Sequence, residues 1–540
     1  MSRFFIACLA ALSLAAPVQA GDLPHLAVKN GRHALMVDGA PFLILGAQAN
    51  NSSNWPAQMP MVWPAIEALS ANTLEMPIAW EQIEPQEGQF DFSYTDLLLT
   101  QARAHNTRLI LLWFGTWKNG SPGYTPEWVK TDEKRFPRVV TRAGDRVNSL
   151  SPLSAETQKA DTKAFAALIH HLKAADSQHT VIMVQVENEP GTWGSIRDYS
   201  PTAQKAFAGA VPAALRKARG LKPGTWLQVF GKDADEVFHA WAIARFIDGV
   251  AEAGKAELNL PMYVNVALRD PLEPKGAETY ESGGATDNVI DVWKVAAPHI
   301  DLIGPDIYQN DARHYQQVLK FYDRPDNALF VPETGHGFAN ARYLFPVMGH
   351  GAIGFSPFGV DFTADANEKA VIPADATQKF AAFAANYHLV APMAREWAKL
   401  AFEGEVWGSG ETEPDPAGNR APETLDLGRW IATIHYDKGT FGMSDWSWVK
   451  PRLANPLGPE GGVIMARLGP DEFLLTGRMA RIDFTPKPKT GAHMQFVRIE
   501  EGQFVDGKWV LHHVWNGDQM DYGLNLTNVP RVLKVRLATY

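Results

Sequence analysis

Residues 180–191 read TVIMVQVENEPG, an apolar and β-branched run that stops at Glu187, Asn188 and Glu189 and is broken by Pro190-Gly191. Residues 181–186 fit a strand buried on both faces, as in a parallel sheet. Carboxylates at the end of such a strand are costly unless they are paired or used. In a β/α barrel the carboxyl ends of the strands carry the chemistry. Residues 327–335, NALFVPETG, repeat the pattern: an apolar strand ends in Glu333.

Between residues 41 and 360, short apolar strands alternate with amphipathic helical stretches, which argues for βα units around a parallel sheet. Eight strands are predicted at 41–48, 73–79, 108–114, 181–187, 262–266, 302–307, 329–333 and 352–358. The clearest helix places Phe165, Leu168, Ile169 and Leu172 at i, i+3, i+4 and i+7. A second runs over 235–250. Eight strands, with no Gly-x-Gly-x-x-Gly loop after the first, favour a closed (β/α)8 TIM barrel over a doubly wound sheet. Residues 116–152, rich in Trp, Gly, Pro and basic residues, suit a loop that walls a site. After a last helical stretch at 374–401, an acidic Gly- and Pro-rich segment at 403–422 reads as a linker or long loop. Alternating segments at 430–436, 462–468, 472–478, 493–500 and 532–538 predict a smaller antiparallel β-sandwich-like domain. The expected division is a leader at 1–20, the barrel over 21–402 and the β-domain over 403–540.

The leader consists of Arg3, an apolar run over 4–16 and Val18-Gln19-Ala20, with cleavage expected after Ala20 and a periplasmic or secreted destination. The single cysteine, Cys8, falls inside it, so the mature chain is expected to hold no disulfide. No later apolar run reaches the roughly 20 residues needed to span a bilayer. The formal charge of −10 leaves no electrostatic footprint for nucleic acid. Seventeen tryptophans suit both a large core and a sugar-binding cleft. The His pairs at 170–171 and 512–513 lack metal-ligand spacing, so neither a metal nor another cofactor is expected.

Strands four and seven face each other across a barrel, so Glu189 and Glu333 can flank a bound substrate. Two opposed carboxylates are the equipment of glycoside hydrolysis. Here the chain resembles the retaining-glycosidase clan with glutamates on strands four and seven, above all glycoside hydrolase family 35 and its relative family 42, mostly β-galactosidases. NTLE at 72–75, WEQIEP at 80–85 and GQFDF at 88–92 resemble the second-strand signature of both, and VQVENE at 184–189 resembles the family 35 acid/base motif. The resemblance implies Glu189 as acid/base, Glu333 as nucleophile, Asn188 on the sugar 2-hydroxyl and Tyr308, in GPDIY at 304–308, holding the nucleophile. The C-terminal region resembles the β-domain of a bacterial subgroup, some of which trim galactose from xyloglucan side chains. The chain also departs from family 35. Ile83 stands at a usual histidine, residues 48–51 replace the first-strand His-Tyr, and Gly115, Thr116 and Trp117 stand where the third strand typically ends in Ala-Glu-Trp.

Among supporting residues, Trp117 and Asn119 in the wall loop, Trp193 just after Glu189 and Phe358 ending strand eight are expected to contact substrate. Trp80 and Glu84 read as structural, and Glu187 as half of a structural ion pair. The expected function is an exo-acting retaining β-galactosidase with a carbohydrate substrate and no cofactor; a homo-oligomer is compatible with the chain. A clan relative for another sugar (a β-glucosidase, arabinopyranosidase or endo-glucanase) and a non-catalytic carbohydrate-binding protein stand as alternatives.

Overall fold

The computed structural model describes residues 22–363, 370–438, 452–487 and 491–540. The expected leader, with Cys8, lies outside the described residues. Eight parallel strands close into a barrel: Ile44–Gln48, Thr73–Ala79, Arg108–Lys118, Val181–Asn188, Met262–Ala267, Leu302–Ile307, Phe330–Thr334 and Gly354–Pro357. They are numbered here as barrel strands one to eight. Their near-continuous burial follows from having side chains inside and helices outside. Helices Ala155–Ala175 and Ala234–Glu257 pack on the outer face, the first through the Phe165, Leu168, Ile169 and Leu172 stripe that its periodicity predicts. Ser154 caps the first by accepting from the Thr157 N–H.

Strand one is shorter than the sequence suggested. Ala40–Phe42 belongs to a separate antiparallel sheet with His25–Lys29 and Arg32–Val37. That sheet sends Leu35, Val37 and Phe42 into one cluster with the barrel residues Ile44, Ile110, Leu112, Leu302 and Phe330. The apolar run over 41–48 therefore serves two sheets. Ala40–Phe42 pairs with its sequence neighbour Arg32–Val37, and Ile44–Gln48 with barrel strands two and eight, the second of them far away in the chain.

Strand three is longer than predicted and reaches Lys118, past a strong irregularity: Trp113 pairs with Val186 but Lys118 with Asn188. The expected wall loop over 116–152 thus begins as strand and also contains the hairpin Arg138–Val140 with Arg146–Leu150. The helical stretch at 374–401 is two helices, Ala381–Val390 and Ala394–Glu403, separated by a short 3-10 turn that carries Pro392.

The C-terminal region forms two antiparallel sheets. The larger runs in the order Val406–Gly410, Gly462–Gly469, Glu472–Arg478, Val532–Thr539, Met494–Val505, Lys508–Val514, and the smaller Glu423–Asp426, Trp430–His435, Ala480–Pro486, Leu524–Leu526. The segment at 403–422 is therefore not only linker, since it supplies the edge strand Val406–Gly410. Trp430, Ala432 and Ile434 alternate inward to meet Val463, Met465, Phe473 and Leu475 between the sheets. The opposite face of the larger sheet carries Ile464, Ala466 and Leu474 into the barrel's helical layer. Gly408 and Gly462 let the sheet approach helix Leu344–Gly349 closely, since a Cβ at Gly462 would lie 1.9 Å from the Phe345 ring.

Candidate active site

Strand four ends irregularly. Glu187 and Glu189 both adopt positive φ, 64° and 43°, a conformation that disfavours side chains and concentrates at functional sites. The chain is held there by its neighbours. The Glu189 N–H donates to Asn265 Oδ1 on strand five at 2.8 Å, and Asn265 Nδ2 donates to Asp306 Oδ2 on strand six at 2.7 Å. Asn119, at the end of strand three, donates its backbone N–H to the Asn188 carbonyl at 3.1 Å. Its side-chain amide donates to Glu189 Oε2 at 2.5 Å and accepts from the Lys118 ammonium.

Strand seven presents Glu333 opposite. The Tyr308 hydroxyl donates to Glu333 Oε1, and Gln48 Nε2 on strand one donates to Oε2 at 3.1 Å. One oxygen from each of Glu189, Asp306 and Glu333 lies within 4.8 Å of the others, and all three residues are buried. Such a cluster has the donor set for a hard cation. Donors from Asn119, Asn265, Tyr308 and Gln48 already occupy four of its six oxygens.

Burial and the Glu333 charge push the Glu189 carboxyl up to about 7, against the lowering influence of Lys118. Asp306 is raised well above the carboxylate range by burial and by the two glutamates. Glu75, fully buried beneath Glu333, is pushed up to about 8 by desolvation and receives the Tyr263 hydroxyl at 3.3 Å. Carboxylates crowded in a dry site cannot all ionise, so part of the cluster holds protons at neutral pH. The arrangement can therefore present one carboxylate nucleophile and one protonated acid on opposite sides of a bound group.

The expected residues meet in part. Glu189, Glu333, Asn188, Tyr308 and Asn119 converge, with the Asn188 amide buried and without a hydrogen-bond partner among the described residues. Phe358 is half-buried at the mouth, its N–H bonded to the Thr334 carbonyl next to Glu333. Trp193 is 51% exposed and donates its indole N–H to Glu281, a neighbour of Glu189.

Trp117 is not in the cleft. It is 0% exposed, packs edge-to-face on Phe246 of the outer helix layer and shares a cluster with Leu109, Leu111 and Trp113. The irregularity in strand three turns Lys118 and Asn119 toward the site and Trp117 toward the helices. Among the described residues Glu187 has no ion pair either. Its Oε2 accepts from the Trp117 N–H at 2.7 Å and its carboxyl meets that of Asp161, so both pKa values are raised by burial and Glu187 also by the Asp161 charge. Trp80 is core and donates to Glu84 at 3.0 Å, which also accepts from the Gly88 N–H and Lys163, as a structural role requires. Sequence reasoning missed Gln48, Lys118, Asn265, Glu281 and Asp306 as site residues. Only Asp306 carried a signal, an acid two residues before Tyr308 at the end of a strand.

The comparisons with known proteins bear on this same region. Residues 38–245 match the family model Glyco_hydro_42, described as beta-galactosidase. The match spans strands one to four, including Glu189, and falls on the second of the two families whose motifs the chain resembles. Residues 383–527 match DUF5597, a domain of unknown function, a span that begins inside helix Ala381–Val390. No curated protein is significantly similar to the chain. Solved structures similar to it include a β-galactosidase from the psychrophilic Marinomonas ef1 (13% identity, 66% of this chain and 61% of that chain, TM-score 0.48). Another is a β-galactosidase from Bacillus circulans sp. alkalophilus (14% identity, 67% and 61%, TM-score 0.48). A third is the exo-beta-1,4-mannosidase Op5Man5 from an Opitutaceae bacterium (14% identity, 61% and 54%, TM-score 0.39). The chain spans about three fifths of the length of these β-galactosidases.

Proposed function

We propose that this protein is a retaining glycoside hydrolase that removes terminal β-galactose from oligosaccharides or polysaccharide side chains. The observation that carries the reading is the opposed, buried pair Glu189 and Glu333, with carboxyl oxygens within 4.8 Å across the barrel mouth. One oxygen of each lying this close supports the roughly 5–5.5 Å spacing of retaining enzymes over the roughly 6.5–9.5 Å of inverting ones, which seat a water between the carboxyl groups. The family 42 match over strands one to four supports β-galactose as the sugar.

In the first step Glu333 attacks the anomeric carbon as the glycosidic C–O bond breaks, and the Glu189 proton passes to the departing oxygen. In the second, Glu189 takes a proton from water, the water oxygen attacks the anomeric carbon, and Glu333 leaves as carboxylate. Tyr308 and Gln48 hold the attacking carboxylate in place, and Asn119 fixes the orientation of the acid. A carboxyl near 7 suits a group that must act first as acid and then as base at neutral pH.

A different β-linked sugar is favoured by one observation, the absence of a strand-three carboxylate. Thr116 stands at that position, fully buried with its N–H and hydroxyl both donating to Asp161, and Lys118 and Asn119 reach the site instead. Hydrolysis of a panel of aryl β-glycosides decides between sugars. Proton NMR of the fresh product tests the mechanism: the β-anomer appears first under retention, and an initial α-anomer would overturn it. Export is proposed as well, on the leader pattern at 1–20.

A further inference from the structure

Trp193 and Glu281 form a feature that the chemistry above leaves unused. Among the described residues, Trp193 and Trp55 are the tryptophans most open to solvent, each 51% exposed. A surface indole is usually free to turn. Trp193 is fixed instead, donating its N–H to Glu281 Oε1 at 2.5 Å. Glu281 is only 3% exposed, and its second oxygen is buried with no partner. Burial pushes its carboxyl up to about 8, against the hydrogen bond from Trp193, which lowers it.

The loops that carry the two residues are built to keep them together. Thr192 and Ser282 exchange backbone hydrogen bonds at 2.9 and 3.1 Å, directly beside Trp193 and Glu281. The Thr192 hydroxyl is bonded to His239 Nε2 at 2.9 Å, and the Ser282 hydroxyl donates to the Ile196 carbonyl at 2.6 Å. Gly191 permits the close approach, since a Cβ there would lie 2.8 Å from that of Glu281. The charged groups that face Glu281 are Glu189 and Lys118, so the unit adjoins the acid rather than the nucleophile. In a double displacement the leaving group departs on the side of the acid.

Resting on the glycosidase reading, we propose that Trp193 is the stacking platform of a leaving-group subsite that takes the first sugar of a carbohydrate aglycone. Glu281 is its positioning residue, which locks the indole plane beside the Glu189 carboxyl. The apolar face of a pyranose lies on the fixed ring while the acid protonates the oxygen that joins this sugar to the one being removed.

The test compares two substrates that share the glycone: a galactosyl disaccharide, which fills the subsite, and β-galactosyl fluoride, whose leaving group cannot. For Trp193→Ala, kcat/KM on the disaccharide falls about 30-fold, the scale of losing a buried aromatic anchor, while the fluoride stays within about threefold. Glu281→Ala follows the same split. Glu281→Gln, which keeps an acceptor oxygen for the indole N–H, returns the disaccharide to within about threefold of wild type. Equal losses on both substrates, or none on the disaccharide, would overturn the subsite while leaving the glycosidase intact. A wild-type protein inert to the fluoride and to every glycoside would overturn the glycosidase reading and the subsite with it.

Discussion

Replacing Lys118 with methionine removes a cation beside the acid and changes little else in volume. The ammonium is bonded to Asn119 Oδ1, and Asn119 Nδ2 lies 2.5 Å from Glu189 Oε2. With one amide between them, the two charges are roughly 6 Å apart and attract by roughly 3 kcal/mol at an effective dielectric near 20. Solvent at the cleft mouth reduces that by about half, which leaves about one pKa unit. Lys118 holds the Glu189 carboxyl down against burial and Glu333, so its removal moves that carboxyl up from about 7. The first chemical step needs Glu189 protonated, so kcat/KM falls as pH rises through its pKa, and Lys118→Met moves that limb up by about one pH unit. The substrate must have a poor leaving group, such as an alkyl β-galactoside, because a nitrophenolate departs without a proton. Asn119→Ala is the control for a disturbed amide: it removes the hydrogen bond to Glu189 but leaves the cation. A limb that stays in place or moves to lower pH in Lys118→Met would refute the electrostatic argument.

Further outcomes follow from the same structure. Glu333→Gln abolishes turnover with an unchanged unfolding transition, and Glu189→Ala loses far more activity on alkyl than on nitrophenyl glycosides; equal losses on both would remove Glu189 as the acid. Trp117→Ala costs about 3–5 kcal/mol in denaturant unfolding, as for a fully buried indole, whereas Trp117→Phe retains near wild-type KM; a KM defect in Trp117→Phe would return this residue to the cleft. Glu187 has a folded pKa raised above its unfolded value of 4.5, so the unfolded state releases its proton first and stability declines as pH rises from about 4.5 toward the folded value. Glu187→Gln keeps an acceptor for the Trp117 N–H and removes that decline, so its stability relative to wild type grows with pH; a difference flat in pH would show that Glu187 is ionised in the native protein.

Much of this architecture was legible in the chain because it rests on local pattern. Alternating strands and helices, apolar runs such as 181–186 and acids stranded at their ends are one-dimensional signals, and they located all eight barrel strands and the pair Glu189 and Glu333. The antiparallel region was legible for the same reason, since Trp430, Ala432 and Ile434 alternate along one strand. The less legible elements depend on partners distant in sequence. Ala40–Phe42 and Ile44–Gln48 look like one strand until the hairpin and the barrel divide them.

By itself, the sequence determined that a parallel barrel would carry two glutamates at the ends of strands four and seven. Only the tertiary structure decided what surrounds them. Trp117 and Asn119 are two residues apart and looked alike as loop residues facing the substrate. An irregularity in strand three, set by its pairing with strand four, buries one against Phe246 and brings the other to Glu189. Asp306, Gln48 and Glu281 reach the cluster from strands six and one and from the loop after strand five, each through contacts with other elements of the barrel. Their roles follow from which polar groups converge in a dry site, a property of three-dimensional packing that no spacing along a single strand encodes.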